Sequence, residues 1–294
     1  MNSIIDAHHH LWDLAVTPQP WLDEAMGPIN QSFSHDDLLR AVGSRVESTV
    51  IVQTVSDVAE TELMLEIAER SALVGGVVGW VDLTAVDVAD RLAALTGSPT
   101  GSWLRGIRHQ VHDEPDVEWI GRSDVRRGLA ALGAAGLVFD LLLRPEHLRV
   151  AAEVVRDLPD VTFVLDHIAK PRIADGELDG WAADIRRLAS LPNVMCKLSG
   201  LVTEADWAAW TTAELQPFAD VVLDAFGPNR VMFGSDWPVC LLAASYDDVV
   251  ESAVTLTAAC SATEQAAVFS GNAAEVYRLH LGPAGPQPAM EEPC

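Results

Sequence analysis

A single-domain α/β fold of the (β/α)8 TIM-barrel class is predicted by three observations on this 294-residue chain. Short β-branched runs alternate with helical stretches along nearly its whole length. There are eight of each, and no composition break marks a second domain. The strand runs are almost continuously apolar, as strands covered on both faces are, which implies a parallel sheet. A doubly wound open sheet is the runner-up, because it is built from the same βα units.

The elements follow in order. The first strand is 3–8 (SIIDAH), ahead of the helical run DDLLRAVG; the second is 48–54 (STVIVQT), ahead of AETELMLEIAERSA. The third, 74–83 (VGGVVGWVDL), precedes AVDVADRLAAL, and the fourth, 104–111 (LRGIRHQV), precedes SDVRRGLAALGAAG. LVFDLLL at 137–143 leads into PEHLRVAAEVVRDLP, and VTFVLDHI at 161–168 into DGWAADIRRLASLP. The last two strands are VMCKLS at 194–199, before AELQPFADVVLDAFG, and VMFGS at 231–235, before YDDVVESAVTLTAAC. Every helical run places Leu, Val or Ala at i, i+3 and i+4, and Pro or Gly closes several of them. The barrel is expected over 1–281. GPAGPQPAMEEPC at 282–294 reads as a flexible Pro/Gly-rich tail.

Composition narrows the function classes. With 49% hydrophobic residues a large core is available, yet no apolar run reaches the ~18 residues of a membrane span. Nineteen basic residues against 43 acidic ones leave a net charge of −24, which repels phosphate backbones and anionic lipid. Neither nucleic acid nor membrane is an expected partner. Four widely spaced cysteines and no basic, apolar leader read as a reduced, cytoplasmic protein. A homo-oligomer is left open. Of the nineteen basic residues only Lys170 and Lys197 are lysines, leaving 17 arginines.

In a barrel of this class, chemistry sits at the C-terminal ends of the strands. Those ends carry His8 and His10, Gln53, Asp82, Arg108 with His109, Asp140, Asp166 with His167, Lys197 and Asp236. Any strand end turns polar on reaching solvent, so one such residue says little. The set says more, because His, Asp and Lys recur where Ser, Asn or Gly would serve. A period of two puts His8 and His10 on one face and His9 on the other. Two imidazoles so placed can share one metal ion, a weak signal alone that His167 and Asp236 strengthen.

At this point the motifs become specific. IDAHHHLWD at the N-terminus, LRGIRHQVHDEPD at 104–116, VLDHIAKP at 164–171, CKLSGL at 196–201, VMFGSDWPV at 231–239 and FSGNAAEVYRL at 269–279 resemble the amidohydrolase superfamily. Within it they are most similar to the sugar-lactonase branch, which includes L-fucono- and L-rhamnono-lactonases. The resemblance runs over nearly the full chain. It implies a barrel, hydrolysis of an aldonic-acid lactone, and a site built from His8, His10, His167 and Asp236. It also implies one divalent metal ion, zinc first, on these four residues, although members of the branch differ in whether they need one. The fourth strand lacks a lysine, so a carbamylated-lysine bridge between two metals cannot form there.

Opening a cyclic ester requires water to lose a proton, the carbonyl oxygen to be stabilised and the ring oxygen to be protonated. Asp236 is the expected base, with His8, His10 and His167 holding a metal or donating to the carbonyl directly. Arg108, His109, Lys170 and Lys197 are expected substrate contacts, as are the indoles of Trp12 and Trp237, with Trp21 and Trp103 also placed in or beside loops. Two alternatives stay open: a metal-dependent decarboxylase or amide hydrolase of the same superfamily, and a non-catalytic sugar-acid binding protein.

Overall fold

The structure, a computed structural model, describes residues 3–279; the tail expected at 282–294 lies outside them. All eight expected strands form: β1 Ile4–His9, β2 Val46–Val52, β3 Val74–Gly79, β4 Leu104–His109, β5 Val138–Leu141, β6 Thr162–Leu165, β7 Val194–Leu198 and β8 Val231–Phe233. They are parallel and stand in sequence order β1 to β8. The ends meet as well. Asp236 N–H donates to the His8 carbonyl at 2.8 Å and His10 N–H to the Trp237 carbonyl at 2.7 Å. A helix follows each strand, from His35–Val42 after β1 to Tyr246–Leu256 after β8, so the fold is the (β/α)8 barrel and not the open sheet.

Alternation sorts the strand side chains into two cores. One face of each strand packs under the helices, as Ile51, Ile107, Phe139, Phe163 and Phe233 do. The other fills the barrel with Ile5, Ala7, Val50, Val52, Val78, Val138, Val164 and Met232, joined by Tyr277 from the C-terminal segment. β1 breaks its own alternation: a register shift against β2 between Asp6 and His9 turns His8 toward the interior after Ala7. His9 faces the other way, with Nε2 2.9 Å from Thr49 Oγ1.

One buried carboxylate ties this seam. Asp6 accepts from the backbone N–H of Ser235 at 2.8 Å and of His8 at 3.1 Å, and from the Tyr246 hydroxyl at 3.1 Å. It thereby joins the end of β1 to the loop after β8. Among the described residues no helix is long and apolar enough to cross a membrane.

Candidate active site

His8 and His10 come from β1 and the residue after it, His167 from the turn after β6, and Asp236 from the loop after β8. The structure brings all four together. Asp236 Oδ1 lies 3.3 Å from His10 Nε2, 3.7 Å from His8 Nε2 and 3.8 Å from His167 Nε2, and the two β1 imidazoles are 3.2 Å apart at Nε2.

Two local conformations make this convergence. β6 stops at Leu165, three residues before the end expected from its apolar pattern, because His167, Ile168, Ala169 and Lys170 all adopt positive φ (51°, 49°, 62° and 47°). Non-glycine residues in this region cost roughly 1–2 kcal/mol each, and hydrogen bonds both within the turn and onto it offset that strain. Lys170 N–H donates to the His167 carbonyl at 2.8 Å and Trp181 Nε1–H to the Ile168 carbonyl at 2.8 Å. Gly200 makes room for the ring: a Cβ there would sit 2.7 Å from His167 Nδ1, at a φ of +67°. Asp236 is itself left-handed, at φ 57°. Such strain concentrates where geometry serves chemistry.

Burial sets the protonation states. Loss of water and the nearby Lys197 ammonium hold His8 far below the usual imidazole range, and burial lowers His167 to about 4 against the pull of Asp236. Both rings are neutral at neutral pH. Burial pushes Asp236 up, but His167, a bond from His10 and the His8 ring outweigh it and keep the carboxylate ionised well below its usual range.

The donor set fits one divalent ion. His10 Nδ1 lies 2.7 Å from the Val52 carbonyl, which can only accept, so Nδ1 carries a proton and Nε2 is the nitrogen that faces His8 and Asp236. The 3.2, 3.3 and 3.7 Å separations of His8 Nε2, His10 Nε2 and Asp236 Oδ1 compare with the ~3.3 Å edge of a tetrahedral zinc site with ~2.0–2.1 Å bonds. A second group, His8, His167 and Asp166, also has its ligand atoms within 4.8 Å of one another, but there the buried Asp166 Oδ1 already faces Lys197 Nζ at 3.0 Å.

Beneath these residues lies a layer of buried ions. Lys197 Nζ is 2.6 Å from Asp140 Oδ2, 3.0 Å from Asp166 Oδ1 and 3.1 Å from His8 Nδ1. Arg108 donates to Asp166 Oδ2 at 3.2 Å and to Gln53, and the Tyr277 hydroxyl donates to Asp140 at 2.9 Å. Burial raises Asp140 to about 6 despite Lys197. Asp166 goes the other way, because Lys197, His8 and Arg108 overcome its desolvation.

Above the four residues opens a cavity of about 400 Å³. Its lining includes the apolar side chains of Trp21, Met26, Leu142, Val239 and Leu242, with Trp207. Arg108, Gln110, His112, Arg144, Lys170 and Glu204 are among its polar lining residues. Of the expected substrate contacts, Arg108 and Lys170 line this space, Lys170 in an ion pair with Glu204 at 2.8 Å.

The others are elsewhere. Lys197 is fully buried below His8. His109 is taken up by Trp80 Nε1–H, which donates to its Nδ1 at 3.0 Å, by Glu114 at 2.7 Å and by a stacked Trp119. Trp12 and Trp237 pack edge-on against Phe33, and Asp82 accepts from its own loop at Thr84. Sequence reasoning missed Glu204, Trp207 and Arg144: Glu204 ends a four-residue helix, Leu201–Glu204, too short to show periodicity, and Trp207 and Arg144 sit in loops. It saw Asp140 and Asp166 only as polar strand ends, though a carboxylate inside an apolar run signals a buried ionic partner.

Comparison with known proteins identifies similar chains over nearly the full length. An L-fucono-1,5-lactonase of Burkholderia multivorans is 39% identical over 97% of this chain and 97% of its own length. Another, from Burkholderia ambifaria, is 36% identical over 99% of this chain and 100% of its own. A solved amidohydrolase from Burkholderia multivorans with bound zinc superposes with a TM-score of 0.89 at 39% identity, covering 95% of this chain and 100% of that one. The amidohydrolase family model matches residues 5–279, and the chain belongs to that family.

Proposed function

We propose that the protein is a hydrolase that opens a sugar (aldonic acid) lactone of the L-fucono or L-rhamnono type, with Asp236 as general base. The observation that carries this reading is the environment of Asp236, an ionised carboxylate beside the imidazoles of His8, His10 and His167 on the floor of a cavity of about 400 Å³. That volume suits a ligand of monosaccharide size. The full-length likeness to L-fucono-1,5-lactonases supports the substrate class.

Asp236 takes a proton from the attacking water and returns it to the departing ring oxygen, so the carboxylate is regenerated each turn. Its negative charge is held ready by His8, His10 and His167, and the rings of His8 and His167 stay neutral and therefore do not compete for the proton. Arg108, fixed by Gln53 and Asp166, presents positive charge to the cavity floor where the carbonyl oxygen gains charge. The indoles of Trp21 and Trp207 cover the apolar face of the sugar ring, while Lys170 and Glu204 meet its hydroxyls. A divalent ion such as zinc, held by His8, His10 and Asp236, supplies Lewis-acid polarisation of the carbonyl when bound.

A pH-indicator assay over a panel of L-sugar lactones tests the reading, because each opening releases an acid. The expected result is turnover of at least one member, falling about 10²- to 10⁴-fold in Asp236→Asn. Turnover of none removes the function, and an equally fast Asp236→Asn removes the base.

A further inference from the structure

The helix Val58–Arg70 starts differently from others in the barrel. The helices beginning at His35, Thr212, Tyr246 and Ala262 close their first turn with a capping box, in which an acid at the third helical position returns a bond to the backbone N–H of the capping residue. Those acids, Asp37, Glu214, Asp248 and Glu264, are all at least partly exposed. Val58–Arg70 has Asp57 as its cap and Glu60 at the same third position, yet Glu60 is buried, with 4% exposure. Its carboxylate reaches back past the cap. It accepts from Thr54 N–H at 2.9 Å, from Val55 N–H at 3.1 Å and from the Thr54 hydroxyl, while the Asp57 N–H turns to the Val55 carbonyl at 2.9 Å. A carboxylate is costly to bury, and these partners are neutral. An exposed capping box would start the helix without that cost, so the diversion points to what the loop after β2 carries.

That loop carries the seat of Arg108. Gln53 accepts Arg108 Nη2 on its backbone carbonyl and, at 3.2 Å, on Oε1. The Thr54 carbonyl accepts from Gln110 Nε2 at 2.7 Å, and Gln110 Oε1 accepts in turn from Gln53 Nε2 at 3.2 Å and from Ser56 Oγ at 3.0 Å. Gln110 thus closes a ring of hydrogen bonds through Thr54 and Gln53, with the guanidinium on its far side. The ring needs a fixed backbone. Gln53 N–H still finds the Val78 carbonyl of β3 at 2.9 Å, but the next two N–H groups, of Thr54 and Val55, go to Glu60 instead.

We propose that Glu60 is a positioning residue that sets the place of Arg108 in the cavity, acting through Thr54, Gln53 and Gln110. Both of its oxygens face donors. A carboxylate accepts from all of them, whereas an amide would turn its own N–H against one of theirs, so glutamine is no substitute. Glu60 touches no ligand itself. The inference rests on the proposed part of Arg108 in the reaction, at the carbonyl oxygen as it gains charge, so its effect falls on kcat more than on KM.

Two measurements on the purified full-length chain test it. The first needs no substrate: the ¹⁵N-arginine spectrum, with the Arg108 Nε–H signal assigned by its loss in Arg108→Lys. Glu60→Gln is expected to shift that signal and speed its exchange with solvent. Thr54→Val, which deletes only the hydroxyl bond to Glu60, should do the same to a smaller extent. Glu62→Gln, at an exposed acid of the same helix, should leave the signal in place. The second is steady-state kinetics on folded protein. In Glu60→Gln kcat is expected to fall about 10-fold or more, towards the ~10² loss of a displacement near 1 Å, with KM changed less than about 2-fold. A Glu60 that merely braced its helix would lower the unfolding temperature and leave the Arg108 signal, kcat and KM as in the wild type, and that result overturns the proposal. If Glu60→Gln does not fold, an Arg108 signal unmoved in Thr54→Val overturns it equally. A displaced Arg108 signal in a chain that opens no lactone supports the positioning role and counts against the proposed reaction alone.

Discussion

The two lysines of this chain occupy opposite layers of the site. Lys197 lies under His8 with no exposure, matched to Asp140 and near Asp166. Lys170 sits at the cavity wall on a left-handed turn, with its ammonium partly exposed and paired to Glu204. The same residue type thus meets two physical regimes. Below, water is absent and every charge depends on its partner. At the rim, water screens the pair, and the side chain is free to exchange Glu204 for a ligand. The proposed reaction falls at the boundary between them, where His8 touches the closed layer and Asp236 faces the open one.

The largest expected effect breaks the lower layer. Asp166→Ala leaves Arg108 and Lys197 each short of a buried carboxylate, and loss of one partner of a buried pair costs about 3–5 kcal/mol. Glu204→Ala at the rim is expected to cost no more than about 1 kcal/mol. Urea unfolding of both variants checks the contrast, which fails if the two midpoints shift alike.

Acid is the next lever. Burial lowers His9 to about 3 and His167 to about 4, while an unfolded histidine titrates near 6.5. The folded state therefore binds fewer protons than the unfolded one between those values. The stability of the neutral rings is complete above about pH 6.5 and drains away as pH falls, by about 2 kcal/mol for each ring at pH 5. Thermal unfolding between pH 8 and 5 should show this decline, and His9→Gln should flatten it. A profile level down to pH 5 would falsify the buried neutral assignment.

Parts of this arrangement were legible in the residues and parts were not, for physical reasons. Period-two alternation and apolar strand runs located all eight strands and put His8 and His10 on one face. The same logic failed at His167, because a left-handed turn without glycine carries no pattern that separates it from a strand end. It also grouped Lys197 with Lys170. Depth inside a barrel is set by strand tilt and stagger between neighbours, which one strand's sequence does not encode. The indoles divide similarly: Trp12 and Trp237 pack on Phe33, while Trp21 and Trp207 reach the cavity. Loop position alone does not distinguish the two pairs.

A smaller effect comes from two glycines with the same backbone and different surroundings. Gly200 and Gly176 have φ of +67° and +66°, but only Gly200 would drive a Cβ into His167, and nothing lies within 4 Å of Gly176. Alanine at either position should cost about 1–2 kcal/mol from the left-handed backbone. Only Gly200→Ala should also displace the ring and lower kcat, by about 10²-fold for a shift near 1 Å. Equal kcat in the two variants would mean that the His167 ring tolerates displacement.

The smallest effect isolates the rim lysine. Lys170→Met removes an ion pair whose side chains are 17% and 20% exposed, so stability should stay within about 1 kcal/mol. Its side chain lines the cavity, and in the proposed reaction its contact with substrate hydroxyls would be the same in ground and transition states. Such uniform binding raises KM and leaves kcat alone, and a rise of about 2- to 5-fold is in keeping with one screened contact. Lys170→Arg should keep the bond to Glu204 but not restore KM, because a planar fork cannot replace a compact ammonium against a sugar hydroxyl. A fall in kcat at constant KM would instead place Lys170 on the transition state, and the division between a supporting layer and a binding rim would have to be redrawn with both lysines on the catalytic side.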